Sequence, residues 1–197
     1  MSNQMKVGRP SISVEAVARP LRFDPIAEAR RNWVANGWSE AADGMALVTS
    51  IVRVQQIFLA RIERTLSPFG LTFARYEVLM LLTFTRTGQM PLGKIGQRLQ
   101  VHPASVTNVI DRLEADELVH RRPHPTDQRT TLAVISARGR KLAAAATEVL
   151  NAEVFEAVGP QPGQLVELFD ALAALRHAAG DFEPAPDAAG SVVHLRT

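Results

Sequence analysis

Apolar residues step by threes and fours through Leu47, Ile51, Val54, Ile57, Phe58, Ile62 and Leu66. This spacing predicts a helix from Ser39 to Leu66, ended by Pro68 and Gly70. A shorter helix precedes it, with Asp24 as cap and Pro25 as first helical residue, running to about Ala35 before the Asn36-Gly37 break. Thr72 caps a third helix, Phe73 to Phe84. Its Val78-Leu79-Met80-Leu81-Leu82 run is apolar nearly all round and so belongs inside. Two more helices follow, Leu92 to Leu99 and Pro103 to Glu117. The period then drops toward two: Leu118 and Val119, then Leu132, Val134 and Ile135, predict two strands joined by a proline-pinned hairpin. Ser136 caps a helix from Ala137 to about Val158, stopped by Gly159-Pro160, and a last helix spans Gln164 to Ala179.

Five helices, a basic hairpin and two further helices define the fold class. It is mainly α with a small β-hairpin wing: a winged helix-turn-helix lobe plus a helical dimerisation region. Residues 72–136 form the lobe, and the flanking helices occupy 23–71 and 137–180. Residues 1–22 and 181–197 hold Pro and Gly without a sustained period and are expected to be flexible tails. The flanking helices carry more apolar surface than so small a lobe can cover. Ala143 to Ala146, Val149 and Leu150, then Leu165, Leu168, Phe169, Leu172 and Leu175, form stripes that need a partner. A second copy, with terminal helices interleaved in a homodimer, satisfies them; folding back on their own lobe is the alternative.

Charge sharpens the picture once it is divided along the chain. Residues 94–141 carry nine Lys and Arg against five Asp and Glu, whereas 142–197 carry two against eight. A net of +4 around the central helix and hairpin thus faces a net of −6 in the last quarter, so one surface suits a polyanion and another does not. The absence of cysteine excludes disulfides, thiol redox sensing and cysteine metal sites. No unbroken apolar run reaches the length of a membrane span, and the first residues lack a basic-then-apolar leader, so no membrane is expected and the location is cytoplasmic. There is no Gly-rich phosphate loop, no Ser/His/Asp constellation and no HExxH pattern. The expectation is no enzyme, no cofactor and no metal. The spacing of His120 and His124 could hold a cation, but on a hairpin both face solvent or phosphate.

The helix opened by Pro103 has two unlike faces. Val106, Val109, Ile110 and Leu113 share the core side. Opposite them stand Ala104, Asn108, Asp111 and Ala115, with Ser105, Thr107 and Arg112 on the flanks. Small side chains allow close approach to a major groove, an Asn can bond adenine through two atoms, and hydroxyls serve bases or phosphates. His102 takes the capping position, where the helix N-terminus favours a phosphate. An ordinary solvated face would look similar. The neighbouring hairpin, with Arg121, Arg122 and Arg129 opposed only by Asp127, favours nucleic acid; a module that meets an acidic protein is the rival.

Residues from about Leu66 to Leu142 resemble the MarR family of winged-helix transcription factors. The resemblance rests on Gly70-Leu71-Thr72, on Val106-Thr107 with Asp111-Arg112-Leu113-Glu114, on Asp127-Gln128-Arg129, and on Ile135-Ser136-Ala137-Arg138-Gly139-Arg140. It implies a homodimer that sets two recognition helices in successive major grooves of a pseudopalindromic double-stranded operator. It also implies that Arg129 enters the flanking minor groove, oriented by Asp127, while Arg121 and Arg122 meet phosphates or brace the wing. A local turn-stabilising ion pair is the alternative for Asp127 and Arg129. The candidate DNA-contacting set is therefore His102, Ala104, Ser105, Thr107, Asn108, Arg112, Arg121, Arg122, Asp127, Gln128 and Arg129. The family further implies a ligand-responsive repressor with a small aromatic or phenolic effector between the dimer region and the lobe. Phe58, Arg61, Arg75 and Tyr76 lie on helices that would line such a pocket, but its residues are not located. Two departures stand out: His102 where Ser or Thr is common, and Asp116-Glu117-Leu118 in place of a Lys/Gly-containing turn. Arg30-Arg31 and Trp33 with Trp38, in the N-terminal extension, would brace the dimer or contact DNA.

Overall fold

A computed structural model describes residues 21–127, 129–159 and 161–183 of the chain. The expected tails fall almost wholly outside them. The elements are α1 (Pro25–Ala35), α2 (Ser39–Leu66), α3 (Phe73–Phe84), β1 (Gln89–Pro91), α4 (Leu92–Leu99), α5 (Pro103–Ala115), β2 (Val119–Pro123), β3 (Thr131–Ile135), α6 (Ala137–Leu150) and α7 (Pro162–Ala178). They fall into two compact units, divided inside α2 between Arg61 and Ile62.

The first unit is a helical hairpin. Asp24 accepts hydrogen bonds from the backbone N–H groups of Ile26 and Ala27, satisfying two donors that the first turn of α1 leaves open. Trp33 and Trp38 meet edge to face at 5.3 Å across the turn, Arg30 pairs with Asp43, and Ala42 is buried. Leu47, Val48, Ile51, Val52, Val54, Ile57 and Leu59 stay exposed along α2. One expectation is revised here. The stretch 39–69 is long and apolar enough to cross a membrane by length and composition, with a mean hydropathy of 1.4 over its best window. The polar residues Arg53, Gln55 and Gln56 interrupt the sequence without breaking that average.

The second unit has a continuous apolar core. Leu79 and Leu82 of α3, Ile95 of α4, Ile110 and Leu113 of α5, Val119 of β2 and Ala133 of β3 are buried together. Ile62 and Leu66 join from the end of α2, and Ala143, Ala146 and Leu150 from α6. The sheet has three antiparallel strands in the order β1-β3-β2, not the two that the sequence pattern predicts. β1 is only three residues long, too short to show a period, and it exists because β3 offers it an edge: Gln89, Met90 and Pro91 pair with Val134, Ala133 and Leu132. In the hairpin, Val119 pairs with Ile135 and Pro123 with Thr131.

Three boundaries also differ. α5 stops at Ala115, before the expected Glu117, because Glu117 turns left-handed at φ 59°. Glu117 N–H then donates to the Glu114 carbonyl at 3.0 Å and Leu118 N–H to the Leu113 carbonyl at 2.8 Å, a Schellman closure with glutamate in the glycine position. α6 gives way after Leu150 to a π turn, Asn151–Phe155, that seats Val154 in the core and lets Glu153 accept from the Thr65 hydroxyl at 3.2 Å. α7 begins at Pro162, two residues before the expected Gln164. Its Val166, Leu168, Phe169, Leu172 and Leu175 are exposed. Gly139 is required where it stands: a Cβ there would lie 2.3 Å from the Leu118 carbonyl oxygen, so only glycine lets α6 start against β2.

Candidate nucleic-acid interface

α4 and α5 form the helix-turn-helix. Gln100 closes α4 in the left-handed region at φ 51°, and Val101 N–H returns to the Gly96 carbonyl at 3.2 Å. Gly96 brings the helices together, since a Cβ there would stand 3.2 Å from Val106. His102 caps α5 as expected from its place before Pro103, its Nδ1 accepting from Ala104 N–H at 3.2 Å. Val106, Ile110 and Leu113 anchor one side of α5 in the core. His102, Ala104, Ser105, Thr107, Asn108, Asp111 and Arg112 stand exposed on the other.

Three of these side chains already have partners on their own helix. The Thr107 hydroxyl donates to the Pro103 carbonyl at 3.2 Å, leaving its methyl and oxygen lone pairs for a groove. Arg112 Nε donates to Asn108 Oδ1 at 3.3 Å. A two-point contact of Asn108 with adenine would use its amide N–H and the second lone pair of Oδ1, with Arg112 held beside it.

The wing divides its arginines by task. Arg121 on β2 is strapped to α5: its guanidinium pairs with Asp111 at 2.6 Å and with Glu114, and its backbone N–H donates to Glu114 at 3.0 Å. The backbone hydrogen bond from Arg121 leads in holding the Glu114 carboxyl below its usual range, against partial desolvation. Burial acts to lower the Arg121 pKa, but its bonds to Asp111 and Glu114 raise it above the ordinary value. Arg121 thus neutralises two carboxylates that would otherwise repel a phosphate from the end of α5.

Arg122 and Arg129 are exposed, and neither guanidinium makes an ion pair among the described residues. Asp127 shapes the tip through the backbone. It accepts from the Thr130 hydroxyl at 2.6 Å and from Arg129 N–H at 3.0 Å, in that order the causes that hold its carboxyl below the ordinary range. Asp127 therefore positions Arg129 through its peptide group and leaves the guanidinium unengaged, unlike the ion pair considered from sequence. Gln128 lies outside the described residues.

Sequence reasoning left out of the set a cleft of about 520 Å³ where Lys94 and Gln97 of α4 face Arg129 and Thr130 of the wing. Lys94 and Gln97 occupy polar positions on the amphipathic α4, and the three-residue spacing between them was the available signal. Only the fold brings them beside a wing tip more than thirty residues away in sequence.

The sequence profile of the MarR family matches residues 71–131, the span from the start of α3 to the wing. The chain is 40% identical over 70 residues to the HTH-type transcriptional regulator MhqR of Bacillus subtilis (strain 168), an alignment covering 36% of this chain and 47% of MhqR. It spans about half the length of the curated relatives it matches. Among solved structures, Sco5413, a MarR family transcriptional regulator from Streptomyces coelicolor, is 48% identical with a TM-score of 0.66, and the match covers 72% of this chain and 99% of Sco5413. The fold alone is shared with Sco3205, a MarR family regulator from the same organism solved in complex with DNA: 18% identity, TM-score 0.62, and coverage of 73% of this chain and 90% of that one. Near-complete coverage of Sco5413 at that identity, together with the match across the helix-turn-helix and wing, places this chain in the MarR family of winged-helix transcriptional regulators.

Proposed function

We propose that the chain is a dimeric, sequence-specific DNA-binding repressor that acts in the cytoplasm on a pseudopalindromic operator and answers to a small aromatic or phenolic ligand. The observation that carries this reading is the pairing of the exposed, small-and-polar face of α5 with a wing whose Arg122 and Arg129 guanidiniums make no ion pair among the described residues. Ala104, Ser105, Thr107 and Asn108 read base edges in the major groove, with His102 and the start of α5 against a phosphate. Arg129 enters the adjacent minor groove, where negative potential is strongest when the groove is narrow. Lys94, Arg112 and Arg122 contact the backbone, and Arg121 acts as a brace. Homodimerisation covers the exposed apolar residues of α2 and α7, the helices of 23–71 and 137–180 forming the interface. The role is regulatory, not enzymatic.

Footprinting on duplexes selected from a random pool tests the reading. A protected pseudopalindrome, with affinity falling steeply as salt rises, is expected. Arg129→Ala should weaken binding by about tenfold or more, the scale of losing one charge-assisted groove contact. Absence of protection at low salt, or a salt-insensitive complex with an acidic protein that duplex cannot displace, would reject it.

A further inference from the structure

Gln100, Val101 and His102 alone join α4 to α5, so their backbone sets the angle between the two helices. Gln100 is left-handed, φ 51° and ψ 39°, and its N–H and that of Val101 both return to the Gly96 carbonyl. Glycine enters this region freely, whereas a residue with a Cβ adopts it at a cost. Glutamine is therefore disfavoured at this point of the turn unless something holds it there.

The hold comes from the end of α7. Gly180, left-handed at φ 78°, closes that helix, and Asp181 N–H returns to the Arg176 carbonyl at 3.0 Å. Phe182 then folds back, its ring 5.4 Å from the Arg176 guanidinium and its carbonyl accepting from His177 Nδ1 at 3.1 Å. These contacts fix Asp181, whose side chain is 21% exposed, against the start of the turn. One carboxylate oxygen accepts from Gln100 Nε2, and the other lies 3.5 Å from Arg176 Nη1. Around this bond the two surfaces stand apart. A cavity of about 460 Å³ has Glu77, Arg98 and Leu99 on one wall and Arg176 and Phe182 on the other. The contact is thus narrow, and it falls on the residue of the turn that has positive φ.

We propose that Asp181 is a positioning residue for operator recognition. It tethers the Gln100 side chain, and through it the left-handed backbone that sets α5 against α4, so that α5 meets the major groove at one angle. Arg176 turns the carboxylate toward Gln100. Without the tether Gln100 relaxes toward negative φ, and α5 keeps its side chains but loses the pose in which they read bases. The effect on DNA rests on the DNA-binding reading, whereas the hold on the turn does not.

Hydrogen exchange of the Val101 amide, which closes the turn onto Gly96 at 3.2 Å, reads the hold in the full-length protein without DNA. Asp181→Ala should accelerate it about fivefold, the scale of losing one hydrogen bond to a carboxylate. Asp181→Asn keeps an acceptor for Gln100 and should restore slow exchange. Gln100→Gly supplies the second arm, because glycine holds the left-handed turn without a tether. In that background Asp181→Ala should leave the exchange rate where it was. On duplexes selected from a random pool, Asp181→Ala should lower affinity about fivefold and narrow the margin over duplexes mismatched at the bases read by α5. That loss, too, should vanish once residue 100 is glycine. Val101 exchange indifferent to Asp181→Ala, or a full Asp181→Ala effect in the Gln100→Gly background, overturns the hold. Faster exchange with unchanged affinity and discrimination overturns its effect on reading. A native protein whose exchange responds as stated but which binds no duplex rejects the DNA-binding reading and leaves the hold standing.

Discussion

Glu117 adopts a backbone conformation that costs an L-residue roughly 1 kcal/mol or more, and its side chain recovers little, since its partner Arg138 is exposed. Glu117→Gly is expected to raise stability by about 0.5–1 kcal/mol, visible as a higher midpoint of urea unfolding with an unchanged slope. Sequence showed that this turn departs from the family pattern without showing the backbone angle that makes the departure costly. Acid sensitivity belongs to the same scale. Asp127 and Glu114 both titrate below their ordinary values of 3.8 and 4.5, so the native state binds fewer protons than the unfolded chain as pH falls through that range. Their contribution is complete above the ordinary carboxylate range and declines as pH drops through their lowered values. Carbon-detected titration of the two carboxyls should give midpoints below those of unfolded peptides; normal midpoints would show that the wing-tip and brace hydrogen bonds are not populated.

At the level of elements, long periodic segments were legible: α1, α2, α3 and α4 begin and end where caps, prolines and apolar spacing indicate. What escaped was imposed by neighbours. β1 has no pattern of its own and is created by the edge of β3, and the π turn after α6 arises because Val154 must reach the core. The division of labour among the wing arginines was hidden for a similar reason. Arg121, Arg122 and Arg129 look alike along the chain, but only Arg121 has two carboxylates of α5 within reach. Arg121→Ala should therefore weaken duplex binding by about tenfold on selected and mismatched sequences alike, because it exposes Asp111 and Glu114 to the phosphates. Competition assays with both kinds of duplex distinguish this uniform loss from a loss of discrimination.

Across the whole molecule, the described residues leave two apolar surfaces uncovered, one along α2 and one along α7. Exposed apolar area of this extent marks an association surface in a folded protein. Phe169, 62% exposed in the middle of α7, is a sensitive point. Phe169→Glu should shift the protein from dimer to monomer in sedimentation velocity at micromolar concentration, and duplex affinity should fall with it because two half-sites can no longer be held together. A dimer that persists unchanged would exclude α7 from the interface. The apolar stripes of both helices were legible in the sequence, and they stand exposed among the described residues; on the proposed reading the cover comes from a second chain, whose placement no single-chain pattern encodes.

The Arg121 strap has one more consequence, for the operator itself. Because β2 is bound to α5 by two ion pairs and a backbone hydrogen bond, the helix proposed to read the major groove and the wing proposed to reach the minor groove are tied together at the base of the hairpin. A single base pair inserted between the sequence read by α5 and the sequence read by Arg129 displaces one from the other by about 3.4 Å and rotates it around the duplex. A loosely hinged wing would follow that change; a strapped one will not, so the inner spacing of each half-site should be as intolerant of insertion as the bases themselves are of substitution.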